Sequence, residues 1–376
     1  MADSRTILTL DAGGTTFSFH AIRNQQEASA PLVLPSHADD LGACLSTLVD
    51  GFNRQKQIVG GPIAAISFAF PGPADYARGI IGDLQNLPAF RGGVAVGPFL
   101  EDAFGVPVYI NNDGDLFTYG EALFGILPKI NELLASSGSP KCFRNLLGLT
   151  LGTGFGAGVV TEGHLLRGDN SAAAEIWCLR NKLDRNSYAE EGVSIRAIRQ
   201  AYAVASGMNY EQAPDPREIA EIAAGTRPGN VGAAKDAYTR MGEVAGDAAA
   251  NAVTMVDGIV VIGGGLAGAS EFFLQSMVEE MNRDLASVTG RGNVPRMELK
   301  VFNLEEPTQL QTFLKGQVTT ILVPGAHRRH IAYDPMKRIG VAVTRLGTAR
   351  AVALGAYAYA IAELDRQNVC PAQIIS

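Results

Sequence analysis

The chain has 376 residues, 47% of them hydrophobic and 18% charged, with a formal net charge of -7. That length allows two domains with separate cores, and without any Lys/Arg block the charge speaks against nucleic acid or an anionic membrane as a partner. Cys44, Cys142, Cys178 and Cys370 are far apart and form no CxxC pair. A disulfide framework or a cysteine-rich zinc site is therefore not expected, and a reducing cytoplasm is the natural setting. The N-terminus enters a strand pattern almost at once, without the features of a signal peptide. No apolar run is long enough to span a bilayer.

In chain order, short apolar runs end abruptly in glycine or polar residues. Ile7–Leu10 runs into Asp11-Ala12-Gly13-Gly14-Thr15-Thr16, and Ile63–Phe70 into Pro71-Gly72-Pro73. Val106–Ile110 runs into Asn111-Asn112-Asp113, Leu146–Leu151 into Gly152-Thr153-Gly154, and Ile259–Ile262 into Gly263-Gly264-Gly265. Each reads as a buried strand followed by a functional loop. Apolar residues at three- and four-residue spacing predict helices over Asp39–Asn53, Val96–Phe104, Ser194–Ala205 and Pro216–Ala224. Longer helices are predicted over Asp236–Met255 and Thr348–Leu364. Alternating strands and helices indicate an α/β protein. Residues 126–145 and 291–340 read as irregular insertions.

The pattern of strand then glycine loop occurs twice, at Leu8–Thr16 and Leu149–Gly158. This repetition suggests two related α/β domains facing a cleft, with the crossing near residue 117 and the last helix returning to the first domain. The glycines of the first loop expose N–H groups and its threonines add hydroxyls, which suits phosphate oxygens; Asp11 can hold magnesium through water. A plain hairpin turn explains the same residues. Gly152-Thr153-Gly154-Phe155-Gly156 is a second such loop. It does not fit the dinucleotide fingerprint, because a strand pattern follows it rather than a helix. Gly263-Gly264-Gly265 before a helical Ser270–Met281 suits an adenosine or a tight turn between strand and helix.

Read together, these motifs resemble a known family. Asp11-Ala12-Gly13-Gly14-Thr15 is similar to the phosphate-1 motif of the actin, heat-shock chaperone and sugar-kinase superfold. Leu149–Gly158 resembles its phosphate-2 motif and Ile259–Gly265 its adenosine motif. Pro71–Phe90 and Phe104–Gly125 resemble the sugar-binding half of ROK (repressor, ORF, kinase) kinases, and the similarity runs with gaps from about Ile7 to about Ala360. The resemblance implies two actin-like (ribonuclease H-like) domains with mixed sheets flanking a nucleotide–sugar cleft. On this reading residues 1–117 and 350–376 form the small domain and 118–349 the large one.

The resemblance also implies ATP, Mg²⁺ and a sugar as ligands. Phosphoryl transfer needs a carboxylate to receive the acceptor's proton. The family's Asn-Asp pair falls on Asn112 and Asp113, making Asp113 the base, with Asp115 as local rival and an Asx turn as the bland alternative. Glu175 matches the sugar-binding glutamate. Glu190 matches a second one, with Glu191 one step away; exposed glutamates at helix starts are the plain alternative. Gly72 would let the backbone approach the sugar, or marks a simple turn.

The chain departs from the family where its histidine becomes Cys178 and the preceding glycine Trp177. LRNKLDRNSY replaces the cysteine-rich zinc motif, so no zinc site is expected. That departure puts the contact to the sugar's anomeric end, where Cys178 now stands, in question. Trp177 either stacks on a sugar or fills the space of the lost lobe, with buried filler preferred. The reading reached is an ATP-dependent kinase acting on a hydroxyl of a hexose or N-acetylhexosamine. The alternative is a non-catalytic, sugar-binding regulator of the same family. Repressors of the family carry a DNA-binding module before the first loop, and ten residues precede Asp11 here. Dimers are usual among such relatives.

Overall fold

The computed structural model describes residues 3–13, 15–72, 74–82, 90–290, 292–325 and 329–369. The chain divides into two compact units. One comprises Met1–Phe124, Arg167–Ala173 and Leu346–Ser376, the other Gly125–Leu166 and Ala174–Arg345.

The first unit is built on a mixed sheet. Its strands are β1 (Ile7–Ala12), β2 (Thr16–Arg23), β3 (Gln26–Glu27), β4 (Leu32–Pro35), β5 (Ala65–Ala69) and, after a small hairpin of β6 (Ala74–Asp75) and β7 (Ile80–Ile81), β8 (Val108–Asn111). The order is β3-β2-β1-β5-β8, with β4 also on β2. β1 and β2 are an antiparallel hairpin, and β5 and β8 run parallel to β1. Side chains alternate across a strand, so neighbours on β1 enter different cores. Leu8 and Leu10 join Phe19, Phe52, Phe68 and Ile110 under helices α1 (Leu41–Val59) and α2 (Val96–Phe104). Ile7 joins Ala65, Leu354 and Tyr357 beneath the C-terminal helix, Thr348–Val369.

Helix α3 (Asp113–Phe124) starts directly after β8 and lies along the C-terminal helix, which keeps all of it in the first unit. The two helices cross at glycines. A Cβ on Gly120 would lie 2.0 Å from the Ala351 carbonyl oxygen, and one on Gly355 would lie 1.9 Å from that of Leu116. Only side chains absent on both helices permit backbones this close.

The second unit repeats the scheme. β9 (Leu146–Leu151) and β10 (Phe155–Thr161) form the antiparallel hairpin, extended by β11 (His164–Leu165). β12 (Ile259–Gly263), β18 (Arg338–Val343) and β15 (Lys300–Asn303) add in parallel, giving the order β11-β10-β9-β12-β18-β15. Its core joins Leu149, Phe155 and Ile262 to Tyr238 and Met241 of α7 (Val231–Val256) and Phe273 and Met277 of α8 (Ser270–Met281). Between β10 and α7 lie α5 (Ile195–Ser206) and α6 (Pro216–Ala223), the latter opened by a capping box between Asp215 and Glu218.

Two segments expected to be irregular contain helices and strands among their described residues. Residues 126–145 contain α4 (Ile126–Ser136), which buries Ile126, Leu127, Ile130 and Leu134. Pro128 sits in its first turn, where a missing N–H costs nothing. Residues 291–340 hold β14 (Asn293–Pro295), paired with β13 (Asp284–Ala286), then β15 and α9 (Pro307–Lys315). They continue through a hairpin of β16 (Thr319–Leu322) and β17 (His330–Tyr333) to the start of β18. Of these, β15 and β18 belong to the large sheet itself, reached by crossovers rather than inserted. Among the described residues no helix is long and apolar enough to cross a membrane.

Adding a methyl group at the helix crossing must push two backbones apart. Gly355→Ala is expected to lower unfolding stability by about 2–3 kcal/mol. A urea denaturation midpoint unchanged from the parent chain would contradict the close contact.

Candidate active site

In the first unit, strands β1, β5 and β8 end on the same edge of the sheet, and their loops carry the polar residues. β1 delivers Asp11 into the hairpin turn, where the Gly13 N–H donates to the Thr16 carbonyl at 3.0 Å. Asp11, Thr15 and Thr16 face water. Gly14 lies outside the described residues. After β5 the Phe70 N–H donates to the Asn111 carbonyl (3.0 Å), and the Tyr76 hydroxyl donates to the Phe70 carbonyl (2.8 Å). Exposed Gly72 sits over that hydroxyl, which a Cβ there would approach to 3.1 Å.

The β8–α3 junction explains both the turn and the chemistry legible in Asn112-Asp113. Asn112 caps α3: its carbonyl accepts from the Leu116 N–H at 3.1 Å, and its Oδ1 accepts from the Gly114 N–H at 2.8 Å. The amide nitrogen of Asn112 makes no hydrogen bond among the described residues. Asp113 Oδ1 shares the Gly114 N–H at 2.9 Å. The Asp113 side chain is open to water, yet the protein crowded around its other sides withdraws bulk solvent, and for the carboxyl's charge it is that loss of hydration that counts. Desolvation pushes the Asp113 carboxyl above the usual carboxylate range, the N–H groups of Gly114 and Asp113 oppose the rise, and the charge of Asp11 adds to it. Asp115, the local rival, is 7% exposed and turned into the protein.

In the second unit the β9–β10 turn is tied down on several sides. The Gly152 N–H donates to the Gly154 carbonyl (3.0 Å), and the Ile195 N–H donates to the Gly152 carbonyl (2.9 Å). The Phe155 N–H donates to Glu190 Oε2 at 2.9 Å, and a Cβ at Gly154 would come within 2.7 Å of that oxygen. The N–H groups of Thr153 and Gly154 are left without a hydrogen bond among the described residues. Beside the turn, Gly263, the last residue of β12, leads into Gly264, which adopts φ 86°. A Cβ on Gly264 would lie 2.2 Å from the Leu151 carbonyl oxygen, so both its conformation and its contact require glycine. Gly265 then opens a 3₁₀ turn into α8.

The segment from Glu175 to Arg196 packs into the core of the second unit through Ile176, Ala189 and Val193. Arg180 and Tyr188 form a β-bridge, and Lys182 pairs with the buried carboxylate of Glu280 on α8. Glu175 is exposed and accepts from the indole N–H of Trp177, while the Cys178 thiol donates to the Glu175 carbonyl at 3.0 Å. Trp177 is 41% exposed, which corrects the expectation of a buried filler. Its hydrogen bond to Glu175 and its edge-to-face packing on Tyr188 (5.8 Å, 87°) hold it at the surface. Glu190 and Glu191 both accept from Arg196, a residue that sequence reasoning missed. No group of three or more His, Cys, Asp or Glu side chains suited to a metal ion occurs among the described residues.

A family model described as ROK family matches residues 7–301, and the chain belongs to that family. It is 28% identical over 298 residues to an N-acetyl-D-glucosamine kinase of Photobacterium profundum, covering 74% of this chain and 89% of that one. The crystal structure of a glucokinase from Parabacteroides distasonis ATCC 8503 is 53% identical, covers 96% of this chain and 98% of its own, and superposes with a TM-score of 0.88. A ROK family glucokinase from Streptomyces griseus, in complex with glucose and AMPPNP, shares the fold at 17% identity, with 94% and 98% coverage and a TM-score of 0.57.

Trp177 is the sole tryptophan of the chain. Its emission is therefore expected to be that of a solvent-exposed indole, steeply quenched by acrylamide, and to change when Glu175→Leu removes its acceptor. A blue-shifted emission that resists acrylamide would contradict the surface position.

Proposed function

We propose that the protein is an ATP-dependent sugar kinase that transfers the γ-phosphate to a hydroxyl of a hexose or N-acetylhexosamine, with glucose the first acceptor to test. The observation that carries it is Asp113: a water-accessible carboxylate at a strand end, its affinity for a proton raised, beside an Asn112 amide nitrogen that has no partner among the described residues. The names of the relatives, glucokinase and N-acetyl-D-glucosamine kinase, support the acceptor class. The AMPPNP bound to the Streptomyces griseus protein supports ATP as the donor.

In this proposal Asn112, Glu175 and Glu190 hold sugar hydroxyls, and Gly72 lets the backbone come close to the ring. Cys178, in the histidine's place, points its thiol at the Glu175 carbonyl and takes no assigned step. Asp113 accepts the proton of the attacking hydroxyl as its oxygen bonds to the γ-phosphorus and the bond to ADP breaks. In the second unit, the N–H groups of Thr153 and Gly154, unbonded among the described residues, receive phosphate oxygens, and Gly263, Gly264 and Gly265 give the adenosine a backbone free of side chains to pack on. In the first unit, Thr15 and Thr16 offer hydroxyls to the phosphates. Asp11 suits Mg²⁺: an exposed carboxylate fits an ion that keeps most of its waters and binds phosphate besides. When bound, that ion spreads the charge of the transferring phosphoryl group.

The test is ADP release with a panel of hexoses, N-acetylhexosamines and fructose. Asp113→Asn is expected to lower kcat by about 10²–10⁴-fold with the fold intact; full activity in this variant would remove Asp113 as the base. Sugar binding by calorimetry without turnover on any sugar would favour the regulator instead. The sign of the pH dependence follows from the base acting deprotonated. Activity is lost as pH falls through the raised Asp113 pKa, so the acid limb of kcat/KM should lie above the ordinary aspartate value of about 4. A limb at or below that value would contradict the role.

A further inference from the structure

Arg196 is the second residue of α5, a position where a cation opposes the helix dipole. Local preference gives no reason for it, and the reason lies in its partners. Its Nε and Nη2 donate to Glu191 Oε1 at 3.0 and 2.7 Å, and Nη2 also donates to Glu190 Oε1 at 2.8 Å. The Tyr188 hydroxyl donates to the same Glu191 oxygen at 2.8 Å, and Arg196 Nη1 lies 3.5 Å from the Thr153 carbonyl. Glu190 is thus gripped on both oxygens, one by the guanidinium and the other by the Phe155 N–H of the glycine turn. The preceding residue, Ile195, donates its N–H to Gly152 of that turn.

We propose that Arg196 is a positioning residue that locks Glu190 and the Gly152–Gly156 turn into one rigid element, so that a single network orients both the sugar-side carboxylate and the phosphate-binding N–H groups. The inference deepens the kinase reading and rests on it. A carboxylate can accept about four hydrogen bonds, so Glu190 keeps lone pairs for a sugar hydroxyl while held. Without the guanidinium, Glu190 faces the like charge of Glu191, and its grip on Phe155 loosens. Lysine supplies charge but not the planar fork that reaches two carboxylates at once.

The experiment uses the full chain and the variants Arg196→Ala, Arg196→Lys, Glu190→Gln and the Arg196→Ala/Glu190→Gln pair. Binding of AMPPNP with Mg²⁺ is followed by calorimetry, and KM and kcat are followed with ATP and the best sugar of the panel. Arg196→Ala is expected to weaken AMPPNP binding about tenfold and to raise both KM values, with kcat changed less than about threefold. Arg196→Lys should recover part of the loss. The double variant should be no weaker than Glu190→Gln alone, because both changes break the same link. Unchanged binding in Arg196→Ala, or additive losses in the pair, overturns the proposal. If Arg196→Ala melts early, Arg196→Lys and the melting curves decide in its place. A parent chain that binds AMPPNP but phosphorylates no sugar sinks the kinase reading, and the binding measurements then decide the role of Arg196 alone. A parent chain that does not bind AMPPNP overturns both.

Discussion

Parallel strands in one sheet must all end on the same edge, and the rest of this molecule follows from that constraint. In the first unit it brings the loops after β1, β5 and β8 together, so that Asp11, Gly72 and the Asn112–Asp113 pair, far apart along the chain, share one rim. In the second unit it sets the β9–β10 turn beside the glycines after β12, close enough that Gly264 touches the Leu151 carbonyl. Helices placed on the sheet faces bury the strands without covering these ends. The rims are therefore the places where unbonded N–H groups and a carboxylate open to water can persist without destabilising a core.

The segment between residues 175 and 196 shows a second way of fixing a site. Here the chain has an aromatic pair, an indole–carboxylate hydrogen bond and an arginine fork. Each contact is modest at a partly exposed surface. Their strength lies in sharing partners: Tyr188 meets both Trp177 and Glu191, and Arg196 meets both glutamates. Lys182 anchors the same segment to Glu280, which also receives Arg283 and Arg296. Charge and ring packing thus add to the apolar anchors Ile176, Ala189 and Val193, which bury this segment in the core of the second unit.

Much of the fold was legible because buried strands advertise themselves. Ile7–Leu10, Leu146–Leu151 and Ile259–Ile262 are apolar runs cut off by glycine or aspartate, and each is a central strand. Helix α4 was missed because Pro128 and the polar Lys129 and Asn131 interrupt its apolar stripe, although Ile126, Ile130 and Leu134 hold the spacing. β15 is four residues and carries little periodic signal, whereas β18, a buried run as long as β9, straddles the end of the 291–340 segment and ends in no glycine loop. The candidate site was legible through loop motifs, which are local. What those motifs did not carry is the cross-talk between segments: Arg196 grips Glu190 across a 3₁₀ turn and a helix start, a spacing with no signature of its own. Trp177 was misjudged as filler because a lone large aromatic is usually buried; here its N–H has a carboxylate two residues away.

The first unit is completed by the last helix of the chain. Ile7, Ile22 and Ala65 are covered by Leu354, Tyr357 and Ala360, which emerge from the ribosome only after the second unit, Gly125–Leu166 and Ala174–Arg345, has been made. During synthesis one face of the N-terminal sheet must therefore wait with its apolar side chains uncovered while the later unit folds. That delay gives the nascent protein a long window in which to associate wrongly or to be bound by a chaperone. The second unit, whose strands are all translated before Leu346, needs no such wait. The order of assembly is thus written into the chain's connectivity: the half that begins first closes last.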